Sequence, residues 1–176
     1  MSVITLPSSP APRGPLSPEL FPPMTDLNPT GAGGDQRIVP NGQRWQMGFV
    51  IPPVRNEDAP GWGVLSDPGP HRIAIPQPRK PAGTWGTPVV NGAGQVGAAI
   101  SISGLPAGAT IPADRWISWE INGRSYAYQV RANATANGSG VATVPIRPFI
   151  RRSPANGAAV QIAAPIIEGF VQLEPG

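Results

Sequence analysis

Residues 115–132 read RWISWEINGRSYAYQVRA, and their alternation decides the fold class. Asn122-Gly123 divides two runs of β-branched and aromatic residues, and Asn-Gly suits the positive-φ positions of a two-residue type I′ turn. That turn pairs Ile121 with Arg124, Trp119 with Tyr126 and Ile117 with Tyr128. One face then carries Ile117, Trp119, Ile121, Tyr126, Tyr128 and Val130, and the other carries Trp116, Ser118, Glu120, Ser125 and Ala127. A two-residue period with one apolar face is the signature of a half-buried hairpin. The aromatics read first as core, with cross-strand pairs worth about 0.2–1 kcal/mol each. An aromatic platform for bases or sugars is the alternative. Trp116, on the polar face, is expected as an exposed contact residue.

The same grammar extends outward. Asn-Gly recurs at 41–42, 91–92, 137–138 and 156–157, and the intervening runs AAISIS (98–103), VATVPI (141–146) and AVQIA (159–163) have strand length and composition. Upstream, RWQMGFVI (44–51) and RIAIP (72–76) read as strands, and 55–71 between them reads as loop. No window carries a helical stripe, because Gly, Pro or Asn interrupts each one. Eighteen of the 25 prolines precede residue 90, eight of them within 1–34. Proline fixes φ and removes a donor, so 1–34 is expected as an extended, polyproline-like arm that needs a surface, such as a neighbouring subunit, to lie on. The expected class is all-β, with two small antiparallel modules and this arm.

Composition narrows the chemistry. The chain lacks cysteine, which excludes disulfides, thiolate metal sites and a cysteine nucleophile. One histidine, His71, cannot form a two-histidine metal site, and it reads as a satisfied or solvent-facing side chain. The carboxylates Asp26, Asp35, Glu57, Asp58, Asp67, Asp114, Glu120 and Glu168 are scattered, without metal-loop spacing. Gly92-Ala-Gly94-Gln-Val-Gly97 matches G-x-G-x-x-G, with Asp114 where a ribose-binding carboxylate would be sought. The match fails on context: Gly97 opens the alternating AAISIS run, not the helix whose N-terminus would hold a pyrophosphate. The stretch reads instead as a glycine-rich turn opening a β module. Two sequons, at Asn133 and Asn137, read as turn chemistry. No catalytic residue, cofactor or metal is expected, and the chain is not expected to be an enzyme.

The formal charge is +3, and Lys80 is the one lysine among thirteen basic residues. The basic residues cluster at Arg147, Arg151 and Arg152, which with Trp116 are the candidate interface residues. So sparse a charge argues against nucleic acid as a partner. No apolar run approaches a membrane span, and the N-terminus lacks the pattern of a secretory leader, so a cytoplasmically made protein with no membrane partner is expected.

GLPAGATIPADRWISWEINGRSYAYQVRANATANGSGVATVPIRPFIRRSPANGAAVQIAAPIIEGF (104–170) resembles a module of tail proteins from long-tailed bacteriophages. ITLP (4–7), GQRWQMGFVIPP (42–53), PQP (76–78) and GAGQVG (92–97) follow the order found in tail-tip proteins of phages and gene-transfer-agent-like particles of alphaproteobacteria. The resemblance covers most of residues 1–170 and is closest to the distal tail proteins. It implies a virion protein whose ring, commonly a homohexamer, joins the tail tube to hub or baseplate proteins and to tail fibre or receptor-binding proteins. It also implies a belt-like sandwich or split barrel at 35–90 with the C-terminal strand 166–173. A barrel of oligonucleotide-binding or galectin-like type would occupy 91–165, after the arm at 1–34. The alternatives are another ring-forming head-tail connector, a capsid or tail decoration protein, or a barrel that binds single-stranded nucleic acid or carbohydrate.

Overall fold

The computed structural model describes residues 3–14, 18–21, 25–27, 36–38, 44–77 and 83–173. Asp35, Lys80 and the Asn41-Gly42 turn lie outside the described residues. The strands run β1 (Ile4–Thr5), β2 (Glu19–Phe21), β3 (Thr25–Leu27), β4 (Gln36–Ile38) and β5 (Arg44–Gln46). A four-residue helix α1 (Ala59–Trp62) continues as a 3-10 turn (Gly63–Ser66). Next come β6 (His71–Ala74), β7 (Val89–Val90), β8 (Ala99–Ser103), β9 (Thr110–Ile111), β10 (Trp116–Ile121) and β11 (Arg124–Val130). Last are β12 (Ala134–Thr135), β13 (Ala142–Arg147), β14 (Val160–Gln161) and β15 (Ile166–Gly169). The protein is all-β apart from the α1 segment.

Six strands form one antiparallel sheet in the order β14-β10-β11-β13-β8-β7. The sheet curls back on itself: Val89 bridges Ala159, and Val160 N–H reaches the Pro88 carbonyl at 2.9 Å, so the barrel is nearly closed. The β10–β11 register is the one its alternation dictates, including Trp119 opposite Tyr126 and Ile117 opposite Tyr128. Asn122 and Gly123 both have positive φ, as a type I′ turn requires. Inside the barrel, Ile100, Ile102, Ile117, Trp119, Tyr128, Val130, Val144 and Ile146 pack into one cluster. Trp119 stacks on Tyr128 with ring centroids 4.2 Å apart. The cluster takes in Trp85 and Val90, so the barrel reaches N-terminal of residue 91.

Close backbone approach joins the segments that flank β7 and β8. Gly104 has φ +78°, and a Cβ there would collide with the Thr87 carbonyl oxygen, which lies against it. Gly104→Ala is therefore expected to cost more than about 2 kcal/mol, from left-handed backbone strain plus the collision. Gly94→Ala is the matched control, since it has positive φ but open space around it. Equal losses in the two variants, read by chemical denaturation, would refute the close-approach explanation.

A second sheet, β1-β6-β15, lies over the barrel. β15 pairs antiparallel with β6, whereas β1 joins β6 in parallel, a departure from the purely antiparallel expectation. Described parts of the arm pair with their own chain. Ile4 N–H donates to the Pro70 carbonyl, Leu6 N–H donates to Arg72, β2 pairs with β5, and Arg13 bridges Val50. Leu6 is buried, so this contact removes apolar surface as well as satisfying the backbone. The 55–71 segment is not all loop. Pro60 sits in the first turn of α1, where its missing N–H costs nothing. Gly61 and Gly63 keep the helix to one turn.

Candidate interaction surface

The polar face of the β10–β11 hairpin is the seat of the second sheet, not a solvent face. Ser118 is buried, and its Oγ accepts the Ile166 N–H at 2.8 Å, fixing β15 to β10. Two residues on, Glu168 turns inward with 2% of its side chain exposed. It accepts from Arg72 Nε at 2.8 Å, from the Ser125 amide at 2.9 Å, and from Arg124 Nε. Arg72 also donates to Glu120 at 3.0 Å and to the Gly123 carbonyl at 2.7 Å. Burial alone would push the Glu168 carboxyl up, but the Ser125 amide and the two guanidinium groups outweigh it and hold it below the usual carboxylate range. Arg72 is in turn held above the usual value, chiefly by its bond to Glu168.

A cleft of about 170 Å³ beside this network is lined by Ser118, Glu120, Ser125 and Gln161 over Trp119 and Ile166. Two carboxylates meet here, as a general acid–base pair would need, yet Glu168 is held ionised by its partners. The arrangement serves as a polar clamp between sheets.

His71 is buried, and its Nε2–H donates to the Val64 carbonyl at 2.8 Å. A carbonyl can only accept, which fixes that tautomer. With Trp62 buried beneath α1, this bond pins the helix and 3-10 turn to the start of β6. The charged residues around them, Glu57, Asp58 and Asp67, are exposed.

Trp116 does not present an exposed contact. It is 4% exposed and packs edge-on against Trp45 at 4.5 Å, while its amide donates to Gln77 Oε1 at 2.9 Å. The reason is the same: segments from the first half of the chain cover the polar face. Tyr128 is buried too, and Tyr126 is half-buried, so neither Trp116 nor Tyr128 offers a face on which bases could stack.

Arg147 lies at the end of the hairpin away from its turn, and because β13 is antiparallel to β11 the chain beyond it, with Arg151 and Arg152, heads back toward the turn. Arg147 sits opposite Gln129, donates to it at 2.7 Å, and lies 3.5 Å from Asp114. The Arg151 amide donates to the Tyr128 hydroxyl at 3.2 Å, tying that segment to the stacked pair in the core. Burial pushes the Tyr128 phenol up, and Arg151 partly offsets this. Arg131 and Arg152 are exposed beside them. Ile150 N–H donates to the Gly97 carbonyl at 2.8 Å, so Val96 and Phe149 leave the fold on adjoining segments, 75% and 67% exposed. Sequence reasoning found the arginines by clustering but missed the apolar pair, whose members are more than fifty positions apart in the chain.

The G-x-G-x-x-G loop is filled by its own glutamine. Gln95 Nε2 donates to the carbonyls of Asn91, Gly92 and Ser101, and its Oε1 accepts the Ser101 amide at 2.6 Å. Gly97 then enters β8, so the loop is a turn without a helix behind it. Asp114 meets Arg147 instead. Among the described residues no group of three or more His, Asp or Glu side chains could hold a metal ion, and no helix is long and apolar enough to cross a membrane. No protein-family model and no curated protein matches the chain.

Proposed function

We propose that this chain is a structural virion protein of a phage tail, a subunit of a ring at the tail tip that joins the tube to hub or baseplate and receptor-binding proteins. The observation that carries the reading is the exposure of large apolar side chains: Val96, Phe149, Phe170 and Leu173, with Phe21 and Val50 on the proline-rich segments. Scattered exposed apolars are ordinary. Here all but Phe21 lie outside the strands, and two-stranded pairs such as β2–β5, which carries Phe21, are marginal in water without a neighbour to cover them. The ordered set of motifs shared with tail-tip proteins supports the same reading. A ring subunit gains stability from such surfaces when they are covered across a repeated heterologous contact.

The test is capture. Tagged full-length chain, co-expressed with the products of the genes that neighbour its own, is expected to co-purify with at least one of them, a tail tube or hub protein, and to form rings by negative-stain electron microscopy. A chain that captures none of them in any combination would refute the reading.

A further inference from the structure

An asparagine followed by glycine can lose its side-chain amide without an enzyme. The next residue's backbone nitrogen attacks the side-chain carbonyl carbon, and glycine has no Cβ to obstruct it. Four such pairs lie among the described residues, and all four asparagines are exposed. Exposure therefore does not separate them, but hydrogen bonding does. At Asn91-Gly92 both reacting groups are held: Asn91 Nδ2 donates to Ser101 Oγ at 3.2 Å, and the Gly92 amide donates to Asn156 Oδ1 at 2.8 Å. At Asn156-Gly157 that same Oδ1 is the acceptor, and the Gly157 amide donates to the Val90 carbonyl at 2.9 Å. At Asn137-Gly138 the Asn137 Oδ1 accepts the Ser139 and Val141 amides, each at 3.0 Å. Asn122-Gly123 differs. The ladder closes with Ile121 opposite Arg124, and neither the Asn122 side chain nor the Gly123 amide has a hydrogen-bond partner among the described residues.

We propose that Asn122 is a spontaneous modification site, converting to isoaspartate ahead of the other described Asn-Gly pairs, and that this change loosens the clamp between barrel and second sheet. The exposed turn tip opens locally to let the groups meet. Base takes the Gly123 amide proton, and the nitrogen bonds to Asn122 Cγ. The Cγ–Nδ2 bond breaks, and ammonia leaves with a proton from water, closing a cyclic imide. Water then opens the ring. Opening at Cγ gives aspartate. Opening at the main-chain carbonyl gives isoaspartate, whose main chain runs through Cβ and Cγ and is longer by that one carbon. The lengthening falls where the clamp is anchored. Arg72 donates to the Gly123 carbonyl at 2.7 Å as well as to Glu168, and the other two donors to Glu168, Arg124 and the Ser125 amide, follow directly in the chain. The new carboxylate also competes with Glu168 for the two guanidinium groups. No partner takes part, so the reaction stands apart from the assembly reading.

The experiment holds the full chain in mildly alkaline buffer at physiological temperature and follows it by peptide mass spectrometry, with fragmentation that separates aspartate from isoaspartate. Conversion at Asn122 is expected to run about tenfold or more ahead of Asn91, Asn137 and Asn156, since giving up a net hydrogen bond costs about a decade in rate. In denaturant the four rates should draw together, because glycine follows each asparagine and the fold no longer holds three of them. Conversion at Asn122 no faster than at the others in the folded chain, or a lead that persists in denaturant, overturns the site. The converted fraction, separated by ion exchange, should show faster hydrogen exchange in β6 and β15 than unconverted protein, with β8 and β13 unchanged. Freshly purified Asn122→Asp, which carries the charge without the added main-chain carbon, should keep wild-type protection there. Unchanged exchange in the converted fraction overturns the coupling to the clamp, and equal opening in Asn122→Asp overturns main-chain lengthening as its cause.

Discussion

Trp119→Ala is expected to lower stability by about 4 kcal/mol, read as a shift in the denaturation midpoint with little change in slope. Trp119 is fully buried at the centre of the barrel, opposite Tyr126 in the register and stacked on Tyr128. Truncation removes its apolar transfer energy, leaves a cavity in a closed barrel with little room to collapse, and loses a stacked pair worth about 0.5–1.5 kcal/mol. That is a large share of the 5–15 kcal/mol typical of a domain. Trp119→Phe should cost much less: it keeps a ring over Tyr128 and removes a buried indole N–H that has no acceptor among the described residues. The two variants together discriminate. If alanine costs under about 1 kcal/mol, Trp119 is not in the core in solution and the hairpin register is wrong. Because the Tyr128 hydroxyl holds the Arg151 amide, the alanine variant should also loosen the segment around Arg151.

The hairpin was legible because three signals agreed: alternation, aromatic content and an Asn-Gly turn fixing the register. Strands β8, β13 and β14 followed from the same alternation, whereas the two residues of β7 are too few to show it. The remaining Asn-Gly pairs were harder to type. At Asn137 the side-chain oxygen instead accepts the Ser139 and Val141 amides, and Asn156 Oδ1 accepts from Gly92, stitching two turns together. The α1 turn was illegible because a four-residue helix is shorter than any helical period can reveal.

What the chain conceals is the covering of the polar face. A polar alternate face is ordinarily a solvent face, and so Trp116 read as exposed. Its partner Trp45 and the Gln77 side-chain Oε1 arrive from distant segments, and no local pattern announces them. The pairing of the arm was hidden for the same reason. Proline content dictated its extended form, but not that β6 would offer it a parallel edge. Glu168 reads as one acid among scattered acids, yet its partners Arg72, Arg124 and Ser125 lie 96, 44 and 43 positions away. Such a site exists only once the second sheet has docked.

Glu168→Ala should lower stability by about 3 kcal/mol near neutral pH, because it leaves Arg72 largely buried and without its inner carboxylate, and removes the acceptor of the Ser125 amide. Glu168→Gln, which keeps the shape and one acceptor, should cost about 1–2 kcal/mol. The pH dependence has a definite sign. The folded carboxyl is held below its unfolded value, so its contribution is complete above about pH 4.3 and is lost as pH falls through the depressed folded value. The gap between wild type and Glu168→Gln should therefore be constant near neutrality and should close in acid. A gap that widens in acid would mean the carboxyl is raised, and the clamp account would fail. The location of the loss matters as much as its size. The barrel has its own core from Trp85 to Ile162, while Leu6, Trp62 and Ile75 are buried outside that cluster, with the second sheet. Native-state hydrogen exchange on Glu168→Ala should show β6 and β15 opening at lower free energy while β10 and β11 keep their protection. Equal loss across both would mean that barrel and sheet unfold as one unit, and that the clamp does not divide them.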